Sequence, residues 1–518
     1  MSLIGKFATV GGATMASRVL GFAREALIAA ALGSGPVADA FYAAFRFPNL
    51  FRRILAEGAF NAAFVPLFAR ELEGGGQPAA RRFAVAVASV LIPVLVALSA
   101  IAMLFMPLLV ANVVAPGFAD SPDKFDLTVV MTRIMFPYLF CMSLVAMLSG
   151  ILNSMRRYFL AAFVPVLLNV VLIGVLVAAL AAGADEYATG YRLAWGVFAA
   201  GVLQLVFLVW GVRREGFSLS LAWPRLTPGV RRLLVLMGPV VLTGGATQIN
   251  LLVGQIIASA QDGAISLLNY ADRINQLPLG VIGIAVGVVL LPEMARALKA
   301  GDSEEASYLQ NRSTEFALGI TVPAAAGLMA MPAPIVGVLY ERGAFAAETT
   351  ALTAAALAAF ASGLPAYVMI KVYQASYFAR EDMKTPMWFA FVQVAVNIVL
   401  SLMLFPYYGH VAIAAATSVS AWINALLLAA VLWRSGDFRP RAKTLRNIAF
   451  IAVAAATMAA AVHLALEPMA PWLDGGFGPR LGATVALILG GGSVYLAITI
   501  ASGALDRREV MRALRRKR

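Results

Sequence analysis

Predominantly apolar stretches of roughly 20 residues or more, the length that crosses a bilayer as a helix, recur along the whole chain. They constrain the fold strongly, because in hydrocarbon every backbone N–H and C=O must find its partner within the protein. Of the 518 residues, 61% are hydrophobic and only 13% charged, with a mean hydropathy of +0.83. Soluble domains carry about 25% charged residues. The alternating ~10-residue pattern of a membrane β-barrel is absent. The chain therefore reads as an all-α polytopic membrane protein with about fourteen transmembrane helices. Lys6 is the only early charge, and no small-residue cleavage site follows a short apolar core. The first apolar segment is thus expected to be the first retained span.

The net charge of +13 is distributed as an orientation signal. Lys6 and every second connection hold most of the basic residues: Arg70, Arg81 and Arg82; Arg156 and Arg157; Arg213, Arg214, Arg225, Arg231 and Arg232; Arg296, Lys299 and Arg312; Arg380 and Lys384; Arg434, Arg439, Arg441, Lys443 and Arg446; and the tail from Arg507 to Arg518. The alternate connections hold only Lys124, Arg192, Arg342 and Arg480. Lys and Arg accumulate on the cytoplasmic side of span ends, so both termini are expected in the cytoplasm and the number of spans even. The basic tail then faces anionic lipid, and nucleic acid is not an expected partner.

The sequence VGGATMAS (Val10–Ser17) returns as TGGATQIN (Thr243–Asn250), and Ala38-Asp39 returns as Ala271-Asp272 at the same offset. FPNL (Phe47–Leu50) then resembles LPLG (Leu277–Gly280), and FVPLFAR (Phe64–Arg70) resembles LLPEMAR (Leu290–Arg296). Spans one and two thus match spans seven and eight. Six spans separate the copies, so both face the same way, a parallel repeat of the kind that holds substrate between its halves. The expected organisation is an N-lobe over 1–217 (spans one to six) and a C-lobe over 218–440 (spans seven to twelve). Residues 441–518 add spans thirteen and fourteen and the basic cytoplasmic tail.

Charged side chains inside spans mark pathways, pairs or watery cavities, because each costs a few kcal/mol in the bilayer. Here they are Arg18, Arg24, Glu25, Asp39, Arg46, Arg52, Arg53, Glu57, Arg133, Asp272, Arg273, Glu293 and Lys371. For Arg53, Glu57, Arg133 and Glu293, helix-locking pairs or snorkelling to an interface explains the charge at least as well. Arg18 and Arg24 point about 240° apart on an ideal helix, so a shared ligand requires a bend at Gly21 or a wide cavity. Pro48 and Asn49 predict a break in span two, with Arg52 and Arg53 just beyond it. An excess of arginine selects an anion, and guanidinium forks match phosphate oxygens bidentately. Beside apolar surface this suits a phospholipid-like substrate; composition alone leaves a soluble anion open.

Catalysis is not expected. His410 and His463 are far apart near span ends, and no metal-ligand spacing, nucleophile–base pair, phosphate loop or cofactor motif is present. Cys141 is a lone cysteine in an apolar run and reads as a small core residue.

Four runs carry a resemblance: RVLGFAREALIAAALG (Arg18–Gly33), ADAFYAAFRFPNLFRRILAEGAFNAAFVPLFAREL (Ala38–Leu72), NYADRINQLPLGVIGIAVGVVLLP (Asn269–Pro292) and KTPM (Lys384–Met387). Across the whole chain the sequence resembles the MurJ (MviN) family. These are lipid II flippases of bacterial peptidoglycan synthesis, within the multidrug/oligosaccharidyl-lipid/polysaccharide (MOP) exporter superfamily. The resemblance implies two six-helix lobes in a V around a cationic cavity, in the inner membrane. It implies alternating access that carries undecaprenyl-pyrophosphoryl disaccharide-pentapeptide from the cytoplasmic to the periplasmic leaflet. The last two helices would offer a groove to the prenyl tail, and cell-wall synthesis or division machinery would be possible partners. The family's cavity cations map onto Arg18, Arg24, Arg52, Arg273 and Lys371. Asp39 maps onto its acidic position in span two, implied to pair with a cavity arginine, and Arg53 and Glu57 also match; Asp272 joins them as a charge-pairing candidate. Some relatives are proposed to bind sodium through acids in spans seven, eleven and twelve. Here those spans offer Thr247, Gln248, Asn250, Gln255, Gln393, Asn397 and Thr417 but no Asp or Glu, which argues against sodium coupling. The alternative reading is an exporter of another polyprenyl-linked oligosaccharide or amphipathic anion.

Overall fold

The computed structural model describes residues 3–220, 222–285 and 290–504, and among these all regular structure is helical, with no strand. The tail from Arg507 lies outside the described residues. The helices are α1 (Leu3–Leu32), α2 (Pro36–Phe51), α3 (Asn61–Leu104), α4 (Met106–Leu109), α5 (Pro122–Met135), α6 (Tyr138–Ser154), α7 (Tyr158–Ala181), α8 (Glu186–Arg214), α9 (Pro228–Ala258) and α10 (Ala264–Ala285). They continue as α11 (Leu291–Lys299), α12 (Ser303–Ala330), α13 (Pro332–Tyr340), α14 (Ala347–Ala361), α15 (Leu364–Ala379), α16 (Lys384–Tyr408), α17 (His410–Arg434), α18 (Ala442–Leu473) and α19 (Phe477–Ala501). Starts follow local chemistry. Pro36, Pro122, Pro228 and Pro332 open helices where a missing N–H costs nothing. Asp185 and Asp302 cap α8 and α12 by accepting from Ala188 N and Glu305 N.

Among the described residues, ten helical stretches are long and apolar enough to cross a bilayer, which makes this a multi-pass membrane protein. The expected fourteen are not reached by that measure among the described residues. One stretch, Pro36–Leu104, is 69 residues long and turns at Gly76 (φ 66°), a backbone angle open to glycine, so it holds two of the expected spans. The first expected span, α1, is absent from the ten; its charges and small polar residues dilute its apolar character.

The chain packs as two compact units, Met1–Ser266 with Arg342–Phe345, and Leu267–Glu341 with Ala346–Arg518. In the first, α1 lies along α7, α2 against α5, and α3 against α6 and α9. Phe64 stacks with Phe60, Phe68 and Phe83, and Phe217 is edge-on to Phe68. Gly229 lets α9 approach this stack, because a Cβ there would meet the Phe83 ring at 3.0 Å. So α9, which the repeat assigns to the C-lobe, packs within the first unit. At the far end of α1, Ala344 N donates to Ala30 O (2.8 Å). Gly33 and Gly343, both at positive φ, make that approach possible, since a Cβ on either would strike a facing backbone carbonyl.

In the second unit, Met294, Val368, Val372, Tyr377, Leu428 and Leu432 form a core between α11, α15 and α17. The last two helices pack on each other and on α12. Glu315 of α12 accepts from Thr444 Oγ1 (2.5 Å) and Asn447 Nδ2 (3.1 Å) of α18, and Tyr495 of α19 donates to Gly319 O (2.7 Å).

Candidate functional site

The most thoroughly satisfied buried charge in the first unit is Asp39. Pro36 starts α2 and places Asp39 in its first turn, fully buried. Lys124 Nζ donates to Oδ2 at 2.9 Å, and Gly263 N donates to the same oxygen at 2.8 Å. Oδ1 accepts from Ser266 N and Ser266 Oγ, each at 2.9 Å. Gly263 and Ser266 bracket the start of α10, so the carboxylate sits where helical N–H groups lack partners and the helix dipole favours an anion. Lys124 is also buried. It reaches the solvent-exposed Asp262 at 2.9 Å and lies 4.1 Å from the centre of the Phe118 ring.

Lys124 corrects the sequence reading in two ways. It was placed in a connection, and it is a buried residue of the first turn of α5. The cation paired with Asp39 is therefore a lysine, where an arginine was expected. The hint was present: Lys124 is one of very few basic residues on its side of the charge pattern, an exception that a specific partner explains.

A second cluster surrounds Arg24. Nη1 donates to Asn169 Oδ1 (3.0 Å), Nη2 to Glu25 Oε1, and Tyr42 OH to Glu25 Oε2 (2.7 Å). Asn169 in turn donates to Ser17 O (3.0 Å), tying α7 to α1. Arg24 and Glu25 are both buried, so this is a neutralised pair inside the helices. Arg18, on the same uninterrupted α1, is exposed. Gly21 does not break the helix, and the two arginines face different surroundings, as the 100° geometry requires.

The expected break at Pro48–Asn49 is not there. Pro48 is buried inside α2, and the chain stays helical, passing at Arg52–Phe60 into a π-helix that runs on into α3. A widened i→i+5 turn absorbs the disturbance without unwinding the backbone, which avoids stranding polar groups at membrane depth. Asn49 Nδ2 donates to Phe45 O (3.0 Å), and Arg52 Nε donates to Asn49 Oδ1 (2.9 Å), so Arg52 is held against its own helix. Arg53 is exposed and Arg46 half-buried. The Glu57 side chain lies outside the described residues.

In the second unit, Arg273 and Asp272 are half-buried and Lys371 is exposed. Asp272 accepts from Gln276 one turn along α10. The polar residues of the later spans form neutral contacts: Asn424 Nδ2 to Gln393 Oε1 at 2.7 Å, and Thr417 Oγ1 to Asn397 Oδ1 at 3.3 Å. No group of three or more acidic, histidine or cysteine side chains is placed to hold a metal among the described residues. Glu315, buried at the α12–α18 contact, was absent from the sequence candidates. His410, expected at an interface, is buried against Leu352 O (3.0 Å).

A family model described as "Lipid II flippase MurJ" matches residues 28–481. A relative from Rhizobium tropici, named "Probable lipid II flippase MurJ", is 51% identical over 520 residues, covering 100% of this chain and 98% of its own. Among solved structures, "Lipid II flippase MurJ, inward closed conformation" aligns with a TM-score of 0.77 at 25% identity, covering 95% of this chain and 97% of that one. An inward-facing multidrug resistance MATE family transporter of the MOP superfamily shares the fold, with a TM-score of 0.64 at 14% identity over 81% of this chain and 94% of that one.

Proposed function

The chain belongs to the lipid II flippase MurJ family, and from that premise we propose that it moves lipid II across a bacterial cytoplasmic membrane during peptidoglycan synthesis. The family match over residues 28–481 carries the reading. The cargo, undecaprenyl-pyrophosphoryl disaccharide-pentapeptide, passes from the cytoplasmic to the periplasmic leaflet by alternating access. Both termini lie in the cytoplasm, as the distribution of Lys and Arg requires. The chain acts by transport and not by catalysis.

In this reading Arg18, Arg52, Arg273 and Lys371 present cationic heads to the diphosphate, and Arg24 supports them from its pair with Glu25. Arginine suits that task because its fork meets phosphate oxygens two at a time. Asp39 holds one state of the cycle through Lys124 and the start of α10. Arg53, Glu57 and Asp272 serve as charge partners as states exchange. The division into an N-lobe over 1–217, a C-lobe over 218–440 and an appended pair of helices over 441–518 gives two halves to rock against each other. The supports for these roles are the excess of basic residues inside spans and the exposure of Arg18 and Lys371.

The test uses bacteria depleted of their own flippase and expressing this chain. Lipid II in the outer leaflet is measured by its cleavage with an externally added toxin. Expression restores cleavage, and Arg273→Ala, correctly inserted, does not. Unchanged accessibility on expressing the inserted protein overturns the reading.

A further inference from the structure

We propose that the first unit carries a site for an anionic glycerophospholipid, separate from the transport residues, with its headgroup on Arg81, Arg82 and Arg225 and an acyl chain in the adjoining groove. An open cavity is lined by these three arginines together with Ser220, Trp223 and Thr227. A second cavity runs between α3, α6 and α8 and is lined largely by apolar side chains, among them Ile92, Leu144, Leu148, Leu205 and Val209. Ser89 and Ser220 line both, so the two cavities adjoin. Arg213 lines the groove near the same end.

The chemistry of the occupant follows from this junction. Among the described residues no carboxylate pairs with Arg81, Arg82, Arg213 or Arg225, so their charge is available to an anion. Guanidinium groups bind phosphate oxygens through paired hydrogen bonds. Trp223, 87% exposed on the irregular segment before α9, has the amphipathic ring that settles at the headgroup level of a membrane. Basic pockets between membrane helices on the cytoplasmic side bind anionic headgroups, and the charge pattern puts these arginines on that side. A free phosphate would need only the first cavity; a phospholipid uses both. The arginines were read from sequence as orientation signals, and this site gives the same charges a ligand.

The test titrates purified full-length protein in detergent with phosphatidylglycerol or phosphatidylcholine carrying identical acyl chains, and counts retained lipid by native mass spectrometry. The expected result is a preference for phosphatidylglycerol of about tenfold. It is lost in R81Q/R82Q/R225Q, and glycerophosphoglycerol without acyl chains competes poorly. Ile92→Trp, which fills the groove and leaves every arginine in place, lowers phosphatidylglycerol retention to a similar degree. Equal retention of the two lipids by the unaltered protein overturns the site. So does an unchanged preference in the triple variant, or unchanged retention in Ile92→Trp, which decides the matter if the triple variant inserts poorly. Displacement by glycerophosphoglycerol as effective as by the whole lipid reduces the site to a phosphate pocket and overturns the lipid assignment.

Discussion

The Ala-Asp dipeptide that marks the internal repeat occurs in α2 as Ala38-Asp39 and in α10 as Ala271-Asp272, and the two aspartates live differently. Asp39 is in the first turn of its helix, fully buried, with donors on both oxygens from Lys124, Gly263 and Ser266. Asp272 is two turns into its helix, half-buried, and takes an amide from Gln276 of the same helix. Duplication preserved the letters, while position relative to the helix start decided the chemistry. A carboxylate near free N–H groups can be buried, because the backbone supplies donors; one further along must find side chains or stay wet.

Substitutions can break this comparison at several points. Asp39→Ala has the largest expected effect. It leaves Lys124 buried with only the exposed Asp262, at a cost of about 3–5 kcal/mol, read as a fall in thermal stability of the purified protein and loss of complementation in flippase-depleted cells. Next comes the coupling itself. Lys124→Met combined with Asp39→Asn is expected to be less damaging than the two single changes added, with an interaction of about 0.5–3 kcal/mol in a double-mutant cycle. Strict additivity would show that the ion pair contributes nothing beyond its parts. Arg24→Ala takes the buried cation from Glu25 and is expected to cost about 1–3 kcal/mol, while Asn169→Ala removes only neutral bonds, an acceptor for Arg24 and a donor to Ser17 O, and costs less. At the small end, Asp272→Asn is expected to shift stability by about 0.2–0.5 kcal/mol, the scale of a pair along one helix. A loss as large as that of Asp39→Ala would show that the two aspartates are equivalent after all.

Membrane class and helical content were legible because hydropathy over 20 residues is a local property that survives any arrangement of the helices. The charged positions in α1 and α2 were legible for the same reason: each breaks the local rule. What stayed hidden depends on distant chain. Lys124 looks like a loop residue because its helix begins only at Pro122, and nothing nearby announces Asp39, 85 positions away. Glu315 is masked by Arg312 one turn before it, which makes the pair look like a solvated helix start; Thr444 and Asn447 show its real role. Pro48 misled in the opposite direction. Proline removes one hydrogen bond, and the sequence does not say whether the helix opens there or takes up the defect in a wider turn downstream.

That wider turn has a kinematic consequence. A π-helical segment carries one more residue in each hydrogen-bonded ring than an α-helix does. Arg52–Phe60 is therefore a length of stored rotation in the path from α2 to α3. Tightening it by a single residue would spin the segment from Asn61 to the turn at Gly76 by about 100° and displace it along the axis by about 1.5 Å, relative to the chain beyond that turn. Phe64 and Phe68 would swing off Phe83 and Phe217, so the row of stacked rings acts as the detent that holds this gear in its present tooth.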